Sequence, residues 1–190
     1  MSLAILIDKT TILALLLIIT ACSFPSGREK ETLEREIAAI ETDAQFTQYL
    51  IEIRTADQKY RQMEPQIQEK YGHDSQEYQD VWEMINLTDQ QNLLKVELLL
   101  EKFGYPRKAA VGTSAAEVPW LIVHHAADYN LRVQYFSLFY SAWKDGNLSD
   151  DAFSLFLERM HIMKFDKYFS FPGPYKHEEK VEALIRKLGL

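Results

Sequence analysis

Four polar side chains recur where helical spacing would place apolar ones, and their types, with an arginine beside them, suit acid–base chemistry. Stepping by threes and fours from Leu50 leads through Ile53 to Asp57, then to Tyr60 and Arg61. The same steps from Trp82 and Ile85 give Asp89 and Asn92 before Val96, and a step from Leu121 gives His125. Positions three and four apart share a helix face. Asp57, Asp89, Asn92 and His125 therefore occupy core-facing registers of three helices, and Arg61 lies within pairing reach of Asp57. A buried charge is costly unless it is paired and hydrogen-bonded. Either these residues satisfy one another in a network that sets helix register, or they line a cleft. In a cleft, His125 is the candidate general acid or base near neutral pH. Asp57 or Asp89 would orient it, and Arg61 would hold an anionic group.

Other chemistries are weakly represented. His124 and His125 are sequence neighbours, about 100° apart around a helix, so they do not share a face for one ion. Each is spaced to pair with Asp128, but a third ligand such as His161 or Asp89 would have to come from another helix. No recognised metal motif is present, and neither a metal nor a cofactor is expected. No serine sits in a Gly-x-Ser-x-Gly elbow, and there is no phosphate-binding glycine loop.

The elements that must position these residues are helices. From Arg28 onward no segment alternates with the period of a strand. Leu33, Ile37 and Ile40, then Phe46, Leu50 and Ile53, predict one long helix or two in line over 29–70, with Pro65 kinking or ending it. Asp74 and Glu77 suggest a capping box. Trp82, Ile85, Val96, Leu99 and Phe103 form the next stripe, ended by Gly104 and Pro106. Residues 107–113 read as a loop, followed by a second capping box at Ser114 and Glu117. Leu131 to Trp143 is apolar on several faces, which predicts a helix surrounded by protein. Ser149 caps a helix burying Phe153, Phe156, Leu157 and Met160, and 176–188 form a last amphipathic helix. The expectation is a single all-α bundle of six or seven helices over 29–190, with one core.

The composition agrees. The chain has 190 residues, 47% hydrophobic and 26% charged, with a formal net charge of -7. That acidity argues against a nucleic-acid partner, which requires an electropositive footprint. A single cysteine excludes an internal disulfide framework. Residues 12–21 (ILALLLIITA) suit the apolar region of a signal peptide and are short for a membrane span. With Cys22 directly after them, the segment resembles the lipobox of bacterial lipoproteins. That resemblance implies removal of 1–21, acylation of Cys22, a short tether over 22–28 and attachment to the membrane by the lipid alone. The expected location is the bacterial cell envelope, at the outer membrane facing the periplasm.

The polar positions also form an ordered set. Asp57-Gln58-x-x-Arg61, Asp89-x-x-Asn92, Gly104-Tyr105-Pro106, Val111-Gly112 and Trp120 to Ala126 follow one another along the chain. This resembles an uncharacterised bacterial helical family, the domain of unknown function numbered 6624, across roughly 50–168. The resemblance implies that Asp57, Gln58, Arg61, Asp89, Asn92, His125 and Asp128 are the family's polar positions. His124 stands where the family has glutamine, and Tyr105 where it has tryptophan. Of the family's tail segment only Tyr168 matches. The family brings no established reaction.

Taken together, the expectation is a lipid-anchored helical module that binds a protein partner or small ligand and is not itself an enzyme. Gln58, Arg61, Asn92, His124 and Asp128 are its binding candidates. One alternative is an envelope hydrolase using His125, Asp57, Asp89 and Arg61. Another is a toxin-protective protein whose acidic surface matches a basic toxin.

Overall fold

The structure, a computed structural model, describes residues 27–190. Cys22, the apolar segment before it and most of the tether lie outside the described residues. Every described element is a helix, so the all-α expectation holds. Among the described residues no helix is long and apolar enough to cross a membrane.

The predicted 29–70 stretch is two helices, α1 (Gly27–Ala38) and α2 (Asp43–Tyr71). Thr42 makes the break. Its hydroxyl accepts from the Gln45 amide at 3.2 Å, and the Gln45 side chain accepts from the Thr42 amide at 3.0 Å. This reciprocal box satisfies the free donors of a new helix start. Lys102 then fastens the end of α1 by donating to the carbonyls of Ile37, Ala38 and Ile40 at 2.7, 2.9 and 3.2 Å. Of the two expected effects of Pro65, ending the helix does not occur: α2 runs on to Tyr71. Pro65 is exposed, so water can satisfy the carbonyl it strands.

α3 (Gln76–Phe103) is capped by Ser75, not by Asp74, with the Ser75 hydroxyl accepting from the Tyr78 amide. Its buried stripe starts at Tyr78 and runs through Val81, Ile85, Asn92, Val96 and Leu99. Trp82 and Phe103 lie off that stripe and stay 39% and 36% exposed. The predicted loop at 107–113 is mostly helical. It holds α4 (Lys108–Val111) and the start of α5 (Thr113–Ala116), hinged at Gly112 with φ +81°. Ser114 falls inside α5 and caps nothing. α6 (Val118–His125) follows, with Val118, Pro119, Ile122 and Val123 buried.

α7 (Tyr129–Lys144) is not wholly enclosed as expected, because Val133, Gln134, Ser137 and Tyr140 stay exposed. α8 (Asp150–Phe165) is capped by Ser149 as predicted, and α9 (His177–Leu188) ends at Gly189. Of these nine described helices, α4 and α5 are single turns, which leaves seven of substantial length.

The core is divided, where one was expected. One apolar cluster joins Phe46, Leu50, Ile53, Val96, Leu99 and Ile122; the other joins Val123, Phe139, Phe153, Phe156, Met160 and Leu184. Leu93 packs against both, and α6 contributes Ile122 to one and Val123 to the other. That seam position brings the end of α6 against α2 and α3.

Candidate functional site

α2 and α3 run antiparallel, since Asn92 meets the Ile53 carbonyl while Asp89 meets Arg61. The polar registers thus face one another in the middle of the two longest helices. His125, the last residue of α6, enters from the third side.

Asp57 is the centre. Its side chain is fully enclosed, while those of His125, Arg61 and Asp89 keep 18%, 21% and 23% of their surface. Oδ1 of Asp57 lies 2.8 Å from Nδ1 of His125 and 3.6 Å from Nε of Arg61. Gln58 donates from Nε2 to Oδ2 at 2.7 Å. An ionised carboxylate only accepts, so Nδ1 of His125 carries a proton and a neutral ring keeps its lone pair on Nε2. Among the described residues nothing hydrogen-bonds to Nε2. Arg61 turns its Nη2 to Asp89, 2.5 and 2.6 Å from the two carboxylate oxygens. The expected Asp57–Arg61 pair exists, but Asp89 is the nearer partner.

The two carboxyls respond oppositely to this setting. Burial alone would raise the Asp57 pKa. The hydrogen bond and charge of His125, with Gln58 and Arg61, outweigh burial and hold it below the ordinary value. Asp89 is raised, because burial outweighs its pairing with Arg61 and Asp57 adds a like charge. A short ion pair and a raised pKa sound contradictory. Asp57 has three partners and Asp89 only one, so desolvation wins at Asp89.

Asp57, Asp89 and His125 present ligand atoms all within 4.8 Å of one another. That donor set suits a divalent cation, but the Arg61 guanidinium stands among the same carboxylates and supplies their countercharge. A cation would have to displace it.

Other expected residues fall elsewhere. Asn92 is buried and donates to the Ile53 carbonyl at 3.4 Å, which ties α3 to α2 outside the charged cluster. Asp128 is exposed and caps α7 by accepting from the Asn130 amide at 2.8 Å. Because α6 stops at His125, the helical spacing that would pair Asp128 with His124 or His125 does not apply. His161 is buried against Phe165 and Phe169, with Nδ1 2.9 Å from the Lys167 carbonyl, so it fastens the chain after α8. His124 is half-buried beside Trp120, with ring centroids 5.2 Å apart and the rings tilted by 33°. Burial first, then the charges of Arg132, His125, Arg159 and Arg61, push its pKa down to about 4.

Arg132 was not singled out from the sequence, yet it is fully buried. One signal was available: it lies a heptad before Phe139, on the buried side of α7.

The chain matches no family model, no curated protein and no solved structure.

Proposed function

We propose that this protein is a helical module of the bacterial cell envelope, anchored through acyl chains on Cys22, that takes a small ligand at the Asp57–His125–Arg61–Asp89 cluster. The supporting observation is the uneven closure of that cluster. Only Asp57 is sealed, while the three side chains around it stay partly open and His125 keeps an unused ring nitrogen. A network serving register alone can be replaced by apolar residues at little cost. A ligand with one hydrogen-bond donor for Nε2 completes the arrangement. Thermal denaturation of the full chain with amino acids, dipeptides and N-acetylated sugars tests this. At least one class is expected to raise Tm saturably, with the effect lost in His125→Ala and Asp89→Asn. A panel without effect, or with equal effect on both variants, refutes it. The anchor is tested separately: Cys22→Ser is expected to move the protein from the membrane fraction to the soluble one.

A second reading is supported by the His125–Asp57 geometry. A buried carboxylate holding Nδ1 fixes the tautomer and stabilises the imidazolium, leaving Nε2 as a general base for a water nucleophile. Hydrolysis of a small substrate is the reaction class this suits. Turnover that survives His125→Ala would end that reading.

A further inference from the structure

Arg132 of α7 is fully buried. Its Nη2 donates to the carbonyls of His124 and, at 2.9 Å, Ala126, at the C-terminal end of α6. Nε and Nη1 have no hydrogen-bond partner among the described residues, which leaves three N–H groups unused. No carboxylate among the described residues pairs with it; beside burial, the one group that shifts its titration is another cation, Arg159.

Its surroundings repeat the pattern. The Trp120 indole N–H and the His124 Nδ1 are buried and unpartnered. The charge of Arg159 reaches both Arg132 and His124, and that of Arg61 reaches His124 as well. The carboxylates of this region, Asp57 and Asp89, are already held by His125 and Arg61. In a chain of net charge -7, three arginine charges, those of Arg132, Arg159 and Arg61, act on His124.

Two kinds of occupant could answer this. A buried water accepts two hydrogen bonds but must also place its own two protons. The unused groups of Arg132 and Trp120 are four donors against the two lone pairs of one water, and only Nδ1 of His124 could take one of its protons, so water fits them poorly. An oxyanion only accepts, and it supplies the charge that two backbone carbonyls do not. We propose that Arg132, with Trp120 and His124 of α6 beside it and the charge of the exposed Arg159 within electrostatic reach, forms a subsite for an oxyanion, the carboxylate or phosphate group of a small ligand. The site begins one residue along α6 from the His125 that the proposed ligand cluster uses. It deepens that reading but stands on different side chains.

The test is calorimetric titration of the full chain at constant ionic strength and neutral pH. Sodium phosphate and sodium acetate are the two probes, with sodium chloride as the reference. Saturable binding of phosphate, acetate or both is expected, and which one binds identifies the oxyanion. Arg132→Gln is expected to weaken binding about tenfold or more, the loss of a charge-assisted bond. Should that variant fail to fold, Arg159→Gln on the exposed side of α8 and Trp120→Phe, which removes only the N–H, are each expected to weaken it severalfold. His125→Ala is expected to leave it intact, so failure of the ligand cluster and failure of this subsite give different results. Absence of saturable binding by both anions overturns the proposal. So does binding unchanged in Arg159→Gln and Trp120→Phe, or a crystal structure grown in phosphate and acetate that shows only water at Arg132.

Discussion

Replacing Asp57 by asparagine keeps the shape of the side chain and removes its charge, which makes it the most informative perturbation of this protein. In the wild type one enclosed carboxylate accepts from His125 at 2.8 Å and from Gln58 at 2.7 Å, with the Arg61 guanidinium 3.6 Å away. An asparagine offers one oxygen, so it can accept from only one of His125 and Gln58, and the other must switch its tautomer or turn its amide to keep a bond. The surviving bond is no longer charge-assisted. Hydrogen bonds to charged groups contribute about 1.5–3 kcal/mol each, and the two are coupled, so a net cost of about 3 kcal/mol is expected. For a domain of this size that corresponds to a fall of roughly 6–12 °C in Tm. The pH dependence follows from the depressed pKa. A carboxyl lowered in the folded state stabilises above its unfolded value, near 3.8, and loses that contribution as pH falls through the folded value below it. The gap between wild type and Asp57→Asn in urea denaturation should therefore not shrink through this carboxyl between pH 7 and pH 5, because Asp57 stays ionised there in both the folded and the unfolded state. It should close only below about pH 3.8. A cost under about 0.5 kcal/mol at pH 7, the range of unremarkable surface changes, would refute the reasoning, as would a gap that persists unchanged into strong acid.

Three further outcomes are expected. Arg61→Ala removes the countercharge from the three-ligand set, so Zn²⁺ should bind the variant more tightly than wild type by calorimetry; equal affinities would mean Arg61 does not hold that place. His124 has its pKa lowered from 6.5 to about 4, so it favours the folded state less and less as pH falls between those values. His124→Gln should flatten the loss of stability over that interval, and an unchanged slope in urea midpoints would contradict it. Lys102→Met removes the donor shared by three carbonyls at the end of α1 and should cost about 1–2 kcal/mol, with faster amide exchange in α1 than elsewhere.

The polar registers were legible because each depends on local periodicity. Asp57 follows Ile53 by four residues and His125 follows Leu121 by four, and both places are confirmed as inward-facing. Errors entered where neighbouring alternatives differ by one residue, as at Ser75 against Asp74, or Val81 against Trp82. A capping hydroxyl or a stripe edge shifts by about 100° per residue, so a single step exchanges buried for exposed. Arg132 went unnoticed because charged residues are normally read as solvated, and only its heptad relation to Phe139 marked it.

By itself the sequence determined that residues 27–190 are built of helices, where α3, α7 and α9 begin and end to within a few residues, and that Asp57, Asn92 and His125 turn inward. These are properties of spacing along one element, carried by a 3.6-residue period and by short-range caps. Only the tertiary structure decided which inward-facing residues meet. It set Arg61 on Asp89 more closely than on Asp57, withdrew Asn92 to the Ile53 carbonyl, gave Asp128 to the start of α7, and enclosed Arg132 behind α6. Those pairings depend on how α6 wedges between two apolar clusters, and no periodicity within one helix encodes the distance to another.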